Sequence, residues 1–325
     1  MLENTGPVEM LPTRCVLVLL LLVPWARSLD ESNIHSEQFW QDINAAQDQW
    51  RAGRNFLPGS FVKNMLSVLP ARHERLPQRT VDVNGNLPES FDGRVVWKRC
   101  KGVGKVRDQG NCASAWAMVA SAVFTDRLCV TKGGNTEISA QNVLSCCKEC
   151  GTNCYGGYVS DALVYLGKRG APSYRCHPYE IYGCPKPGAL DCPAVRALNP
   201  RCRTSCRSSY NKRPYQDVRR AGGAYSLANT TAVIQSELVA RGPVAAVMDL
   251  YEDLLVYKSG VYSHTAGHLL AQHPVKIVGW GTQAGTPYWL VVNTWSPVWG
   301  DRGILRVAIN TNGCHLENRV FALNP

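Results

Sequence analysis

The chain has 325 residues, 45% of them hydrophobic and 18% charged, which excludes a disordered or low-complexity protein. Lys and Arg number 35 against 25 Asp and Glu, so the formal net charge is +10. Fourteen cysteines are more than a reducing cytosol usually tolerates in a globular protein. Because no paired C-x-x-C motifs with downstream histidines mark a zinc site, the count indicates an oxidising compartment. We expect no metal ion and no cofactor.

The N-terminus predicts entry into the secretory pathway. The apolar run Val16–Val23 is too short to span a bilayer, follows Arg14, and precedes small residues at Ala26 and Ser28. This pattern predicts a signal peptide over residues 1–28. No later segment has about 18 consecutive apolar residues, so we expect no transmembrane segment. Asn229 opens the only N-glycosylation sequon of the chain, in agreement with secretion.

Charge and cysteine content divide the remaining chain in two. Residues 1–86 contain 8 Lys or Arg against 9 Asp or Glu, whereas residues 87–325 contain 27 against 16. Phe39, Ile43 and Trp50 have helical spacing, which predicts a helix from Glu37 to Trp50 that stops at Gly53. No cysteine lies between residues 16 and 99. We therefore predict a propeptide over residues 29–86, followed by a disulfide-rich body over residues 87–325.

The body combines a helical half with a strand-rich half. Residues 114–128 are apolar on most faces, which predicts a buried helix. From Pro243 onward, short β-rich runs separated by Gly, Pro and Asn predict strands over Val244–Leu250, Val275–Gly279, Tyr288–Asn293 and Ile304–Asn310. The order of these segments predicts an α+β protein with two lobes.

Several motifs, in the right order along the chain, resemble those of papain-family cysteine proteases. They are LPESFD at 87–92, RDQGNCASAWA at 107–117, HPVKIVGWG at 273–281 and PYWLVVNTW at 287–295. Three further segments resemble the cathepsin B group, namely the cysteine-rich insertion 176–206, YKSGVY at 257–262 and WRAGRNF at 50–56. The resemblance implies a two-lobed papain-like fold, with a helical left lobe, a β-barrel-like right lobe and a substrate cleft between them.

The resemblance also assigns roles to individual residues. A cysteine protease needs a thiolate at a helix N-terminus beside an imidazolium. The oxyanion donor, the general base and the group that orients it correspond to Gln109, His273 and Asn293. Trp295 corresponds to the indole that shields the hydrogen bond between His273 and Asn293 from water.

Two glycines match the pair that lies against an extended substrate backbone in the family. They are Gly156 and Gly157. An ordinary turn is the alternative interpretation of this pair.

The nucleophile itself is missing, because Ala115 occupies the position of the family's catalytic cysteine. Ser114 is offset by about 100° around the helix and is expected to cap it instead. The resemblance assigns Cys112 to a disulfide. We therefore predict a proteolytically inactive pseudoprotease that binds peptides, protease inhibitors or a surface. The alternative is an active lysosomal or secreted cysteine peptidase in which Ala115 is an artefact of the sequence.

Other positions of the predicted cleft also depart from the family. Ala113 and Gln272 each replace a glycine, and Gln272 would obstruct the path of a substrate. Pro274 restricts the backbone of the histidine before it. Arg319 replaces an acidic residue at the floor of the S2 pocket, which is expected to shift its preference towards acidic or small side chains. Residues 185–187 replace the paired histidines of the occluding loop, so we expect no dipeptidyl carboxypeptidase activity.

Thirteen cysteines remain once the signal peptide has removed Cys15. Their connectivity cannot be derived from spacing alone. The resemblance implies six pairs and leaves Cys314 single. The pairs are Cys100–Cys129, Cys112–Cys154, Cys146–Cys202, Cys147–Cys150, Cys176–Cys206 and Cys184–Cys192.

One segment of the body is strongly basic. Within twenty residues, Asp217 is the only acid among seven cations, which are Arg201, Arg203, Arg207, Lys212, Arg213, Arg219 and Arg220. The segment is either a solvated basic loop or a site for a polyanion such as a glycosaminoglycan or an anionic membrane surface. Nucleic acid is not an expected partner in a secretory compartment. The predicted location is the lysosome or the extracellular space.

Overall fold

The computed structural model of the protein describes residues 31–56, 62–67, 69–70, 76–83, 85–181, 197–309 and 314–325. The predicted signal peptide lies outside the described residues. So do residues 185–187 and the predicted disulfide Cys184–Cys192. Among the described residues, no helix is long and apolar enough to cross a membrane.

Eight α-helices are present in the described part of the chain. They are α1 (Glu31–His35), α2 (Glu37–Ala46), α3 (Gly93–Val96), α4 (Ala115–Lys132), α5 (Ala140–Cys146), α6 (Val159–Lys168), α7 (Pro214–Asp217) and α8 (Thr231–Arg241). Fourteen of the eighteen residues of α4 are buried, which confirms the helix predicted over residues 114–128. It ends at Gly133, whose φ of 77° suits a glycine and whose N–H bonds back to Cys129.

Nine strands of the described residues form one sheet. They are β1 (Trp50–Ala52), β2 (Phe91–Asp92), β3 (Ala224–Ser226), β4 (Val244–Tyr251), β5 (Tyr257–Tyr262), β6 (Leu269–Gln283), β7 (Thr286–Val292), β8 (Ile304–Ala308) and β9 (Val320–Leu323). Their order is β1-β5-β8-β7-β6-β4-β9-β3, with β2 also paired to β6. Every pairing is antiparallel except that of β5 with β8. The four strands predicted in the second half correspond to β4, β6, β7 and β8.

Two large hydrophobic cores lie on the two sides of the molecule. One is built mainly from α4, α5 and α6, and the other mainly from the sheet together with the segment before residue 87. An ion pair joins the two sides, because Lys276 Nζ of β6 lies 2.5 Å from Asp126 Oδ2 of α4. Both side chains are almost fully buried, so α4 is held against β6 by charge as well as by apolar contact.

Five disulfide bridges are formed among the described residues. They are Cys100–Cys129, Cys112–Cys154, Cys146–Cys202, Cys147–Cys150 and Cys176–Cys206, the pairs that the resemblance implies. Cys314 is a buried free thiol, and burial raises its pKa well above the ordinary value. It is therefore a packed, unreactive thiol.

The helix predicted from Glu37 to Trp50 is too long. It ends at Ala46, and Trp50 begins strand β1 instead. The amide of Gln47 causes this turn, since it donates to the Trp50 carbonyl (2.7 Å) and accepts from the Trp50 N–H (2.9 Å). A local side-chain bond of this kind offers the backbone an alternative to the helix.

The predicted propeptide is docked on the sheet through β1, which pairs with β5. Trp50 is 1% exposed, and its ring centroid lies 5.2 Å from that of Tyr262. Close approach of the two strands requires Gly260, because a Cβ there would lie 2.3 Å from the Gln49 carbonyl oxygen. Gly260 also has a φ of 92°, a conformation that favours glycine.

Gly260→Ala is therefore expected to release β1 from β5. The added methyl meets backbone atoms, so the strand must move and the buried Trp50 must leave its site. Gly285→Ala is the matched control, because Gly285 also has a positive φ but open space around its Cβ. The control bears only the conformational cost, about 1–2 kcal/mol. We expect a larger loss in the free energy of urea unfolding for Gly260→Ala, together with rapid limited proteolysis before residue 87. Equal losses and equal proteolysis would contradict this docking.

Candidate active site

Ala115 is the first residue of α4, at the helix end where the dipole favours a negative charge. Its side chain is 4% exposed and offers only a methyl group. The preceding Ser114 was expected to cap the helix, and that expectation is wrong, since its side chain makes no capping bond. Ser114 Oγ instead lies 2.6 Å from the Tyr179 hydroxyl.

Tyr179 determines the direction of that bond. Its hydroxyl donates to the Gln109 carbonyl at 2.8 Å, so its single proton is already used. Ser114 must therefore donate to Tyr179. Burial raises the pKa of Tyr179, which keeps the phenol neutral. The Ser114 hydroxyl is thus engaged away from the imidazole of the predicted general base.

His273 and Asn293 form a buried pair on the opposite side of the site. His273 lies on β6 and Asn293 follows β7, which places His273 Nε2 2.8 Å from Asn293 Oδ1. Asn293 Oδ1 also accepts the Thr294 N–H at 2.7 Å, so Nε2 must carry a proton. In the neutral ring, Nδ1 is then an unprotonated base. The Trp295 indole packs over His273 at 4.5 Å between ring centroids and shields the pair from water.

The charge state of His273 differs from that of an active cysteine protease. Burial lowers its pKa to about 4, and the hydrogen bond to Asn293 only partly opposes this shift. A thiolate would stabilise the protonated ring, but Ala115 cannot supply one. The imidazole is therefore neutral even at mildly acidic pH.

Gln109 is fully buried and oriented by three bonds. Its Oε1 accepts from Thr294 Oγ1 at 2.7 Å, which leaves Nε2 as the donor towards the cleft. Nε2 donates to the carbonyls of Cys112 and Met65, both at 2.8 Å. Met65 belongs to the predicted propeptide, so a peptide carbonyl of the same chain occupies the donor assigned to the oxyanion.

The two glycines predicted to contact substrate have different surroundings. A Cβ on Gly156 would lie 2.1 Å from Ser67 Oγ of the predicted propeptide, so this glycine admits a peptide chain. A Cβ on Gly157 would instead lie 2.5 Å from the Trp116 indole. Gly156 therefore lies against the predicted propeptide at Ser67, whereas Gly157 allows close packing against Trp116.

Pro274 lies inside the long strand β6 without breaking it. Its partner on β4 is Val247, whose N–H donates to the Arg319 carbonyl at 2.9 Å and so points away from β6. Val247 and Pro274 thus form a pair that exchanges no hydrogen bonds, and the missing N–H of proline leaves the ladder intact. Gln272, two residues earlier, is half-buried and lies opposite Asp249 of β4.

Arg319 is not the free cation that its sequence position predicts. Its guanidinium lies 2.5 Å from Asp249 Oδ1 and donates to the Val247 carbonyl at 3.3 Å. The other carboxylate oxygen of Asp249, Oδ2, lies within hydrogen-bond distance (2.8 Å) of His315 Nδ1. The expected shift towards acidic or small side chains stays a prediction, and Asp249 balances the charge on which its acidic part depends.

Asn229 is exposed in the turn before α8, so its side-chain amide is accessible for glycosylation. In the described part of the chain, no group of three His, Cys, Asp or Glu side chains could hold a metal ion.

Comparison with known proteins identifies the framework of this site. The sequence pattern of the Papain family cysteine protease matches residues 87–323. The chain belongs to the papain family of cysteine proteases. A cathepsin B-like cysteine proteinase from Schistosoma japonicum is 37% identical over 254 residues, which is 74% of each chain. Cathepsin B-like cysteine proteinase 4 from Caenorhabditis elegans is 35% identical over 311 residues, covering 89% of this chain and 92% of its own.

A solved structure supports the same assignment. Procathepsin B S9 from Trypanosoma congolense superimposes with a TM-score of 0.79 and 32% identity, covering 90% of this chain and 98% of its own. The α+β papain-like fold predicted from the motifs is therefore confirmed, in a cathepsin B-like member of the family. The match to a proform includes the segment that docks through β1.

Four residues of this papain-family site were missed by the sequence interpretation. They are Met65, Tyr179, Asp249 and Thr294. Thr294 adjoins Asn293, and a hydroxyl beside a predicted site residue is a signal that could have been used. The other three come from distant segments, and only the fold brings them to the site.

The lowered pKa of His273 predicts a specific pH dependence of stability. The unfolded chain binds a proton at a pKa near 6.5 and the folded chain only near 4, so stability falls as the pH drops from about 6.5 to 4. The loss is about 3 kcal/mol. His273→Gln removes this titration, so the wild type should lose more free energy of unfolding between pH 7 and pH 4 than the variant does. Equal losses in the two proteins would contradict a buried neutral imidazole.

Proposed function

We propose that this chain is a cathepsin B-like pseudoprotease, which keeps the cleft of the family and has lost its peptide-bond hydrolysis. The observation that carries the proposal is Ala115 at the start of α4. The predicted base, its orienting amide and the oxyanion donor are assembled, while the position that should attack the substrate is a methyl group.

Neighbouring groups do not replace the missing thiol. Cys112 is bonded to Cys154, and the Ser114 hydroxyl donates to Tyr179. Without a nucleophile, an oxyanion donor and a base retain only a small fraction of normal catalysis. Covalent catalysis is therefore absent from the proposed function.

Peptide binding is the activity that the remaining groups support. Gln109 Nε2 already holds the Met65 carbonyl, and Gly156 lies against the same chain at Ser67. A peptide, or a protein inhibitor that inserts an extended segment, can use the same donor once the propeptide is displaced. The partners that we propose are therefore peptides and proteins in the cleft.

The compartment follows from the disulfides. Five bridges in one chain indicate an oxidising environment, which agrees with the secretory pathway. We place the protein in the lysosome or outside the cell, after removal of residues 1–28. The exposed Asn229 is the proposed glycosylation site.

The purified wild type is expected to leave fluorogenic dipeptide substrates intact between pH 5 and pH 7. The measurement uses protein whose propeptide has been removed by a second protease, so that the cleft is open, followed by inactivation of that protease. Ala115→Cys restores the thiol, and Ala115→Ser is the control of similar size without it. We expect Ala115→Cys to recover only a small part of normal turnover, because Gln272 remains beside the cleft. Wild-type turnover abolished by an epoxide inhibitor of thiol proteases would establish the alternative, an active peptidase.

The second expectation concerns maturation. Active relatives remove the propeptide largely by their own activity, and that route needs a nucleophile. We expect the purified chain to keep its full proform mass at pH 4.5 across a concentration series. A trace of active cysteine protease added in trans should convert it. Spontaneous loss of residues 29–86 without any added protease, at a rate that an epoxide inhibitor of thiol proteases abolishes, would contradict an inactive site.

A further inference from the structure

The basic segment 201–220, which overlaps the end of the cysteine-rich insertion, exposes most of its cations. Six of its cations are exposed, and we call them the basic surface: Arg201, Arg203, Arg207, Lys212, Arg213 and Arg220. A further exposed cation, Arg175, lies beside this segment. The Arg207 N–H donates to the carbonyl of Cys176, which follows Arg175 in the chain. Arg219 is paired by two backbone bonds with Ala171, close to the exposed Arg169.

The single acid of this segment is turned inward. Asp217 is 3% exposed and accepts from Ser173 Oγ (2.6 Å), Ser173 N–H (2.8 Å) and the Tyr210 hydroxyl (2.7 Å). These bonds lower its pKa although burial alone would raise it, so it remains a buried, satisfied carboxylate. The exterior of residues 201–220 therefore carries no acidic side chain to balance its cations.

Only one cation of the basic surface has an ion pair among the described residues. Arg203 lies 2.7 Å from Glu180, and both side chains are well exposed. An exposed pair of this kind is weak, so a stronger anion can replace Glu180. The surface thus presents unbalanced positive charge to a partner.

The surface is also held in place before any partner arrives. The bridges Cys146–Cys202 and Cys176–Cys206 tie the segment to α5 and to the insertion. Asp217 fastens its other end to Ser173. A surface that is already ordered loses little conformational entropy on binding, which favours affinity.

We propose that the basic surface binds a sulfated polysaccharide. Five of its six cations are arginines, whose planar guanidinium matches the paired oxygens of a sulfate group. A linear polyanion can contact several of these cations together, and the release of its counterions adds to affinity. None of its six cations is among the site residues described above, so this proposal does not rest on the proposed peptide binding.

A membrane surface fits less well. Binding to a bilayer interface uses an amphipathic helix or inserted apolar side chains. The only helix of this segment, α7, has four residues, and Tyr215 is the single large apolar side chain exposed between residues 201 and 220. The described surface therefore favours a soluble polyanion over anionic lipid.

The test compares two triple variants of the full chain with equal loss of charge. Arg201→Gln, Arg207→Gln and Arg213→Gln together neutralise half of the basic surface. Lys98→Gln, Arg99→Gln and Lys101→Gln neutralise three exposed cations of another loop and serve as the control. The probes are heparin, de-sulfated heparin and vesicles with 30% phosphatidylserine, each at 0.15 M salt.

We expect wild type and control to bind heparin with Kd values within about twofold of each other, and the first variant to bind at least tenfold more weakly. Binding should weaken steeply with salt and be absent with de-sulfated heparin. Unchanged thermal unfolding of both variants shows that the fold is intact, and Arg207→Glu alone gives a second measurement if the triple variant is unstable. Equal weakening in both triple variants, or binding to vesicles and not to heparin, would overturn the proposal.

Discussion

The ion pair between Lys276 and Asp126 is the contact on which the geometry of the cleft depends. It joins β6, which carries His273 three residues earlier, to α4, which begins at Ala115. Lys276 Nζ also donates to the Gly102 carbonyl at 3.0 Å. Burial raises the pKa of Asp126 and lowers that of Lys276, while each charge opposes the shift of the other. Loss of one partner from such a pair costs about 3–5 kcal/mol, because the other charge is left buried and alone.

This dependence explains why the site keeps its shape without a nucleophile. The positions of His273, Asn293 and Gln109 are determined by strands, by Thr294 and by buried contacts that involve no sulfur atom. What the missing thiol changes is charge, because a neutral imidazole replaces the thiolate–imidazolium pair. Under the proposed function, the chemistry is thus separable from the architecture, because a substitution at one buried position removes the first and leaves the second.

The sequence predicted the elements that have a repeating apolar pattern, and it failed where a single side-chain bond or a distant residue decides. Helix α4 is apolar on most faces, and the strands of the second half are short apolar runs between turn residues, so both could be recognised. The helix that was expected to include Trp50 ends early because the Gln47 amide binds the Trp50 backbone. Ser114 and Arg319 were assigned other roles because Tyr179 and Asp249, their partners, are 65 and 70 residues away. The hydrogen-bond and ion-pair partners of a side chain are determined by the fold, and the spacing of residues along the chain does not reveal them.

Strand β1 has one more consequence, which concerns association between molecules. It is the edge strand at one end of the sheet, and it covers the backbone of β5 as well as the aromatic site of Trp50. A protein from which a foreign protease removed this strand would present unpaired N–H and C=O groups beside an open apolar groove. Edges of that kind template the addition of further strands, from another copy or from a misfolded chain. While β1 stays in place, it therefore protects this edge of the sheet from such association.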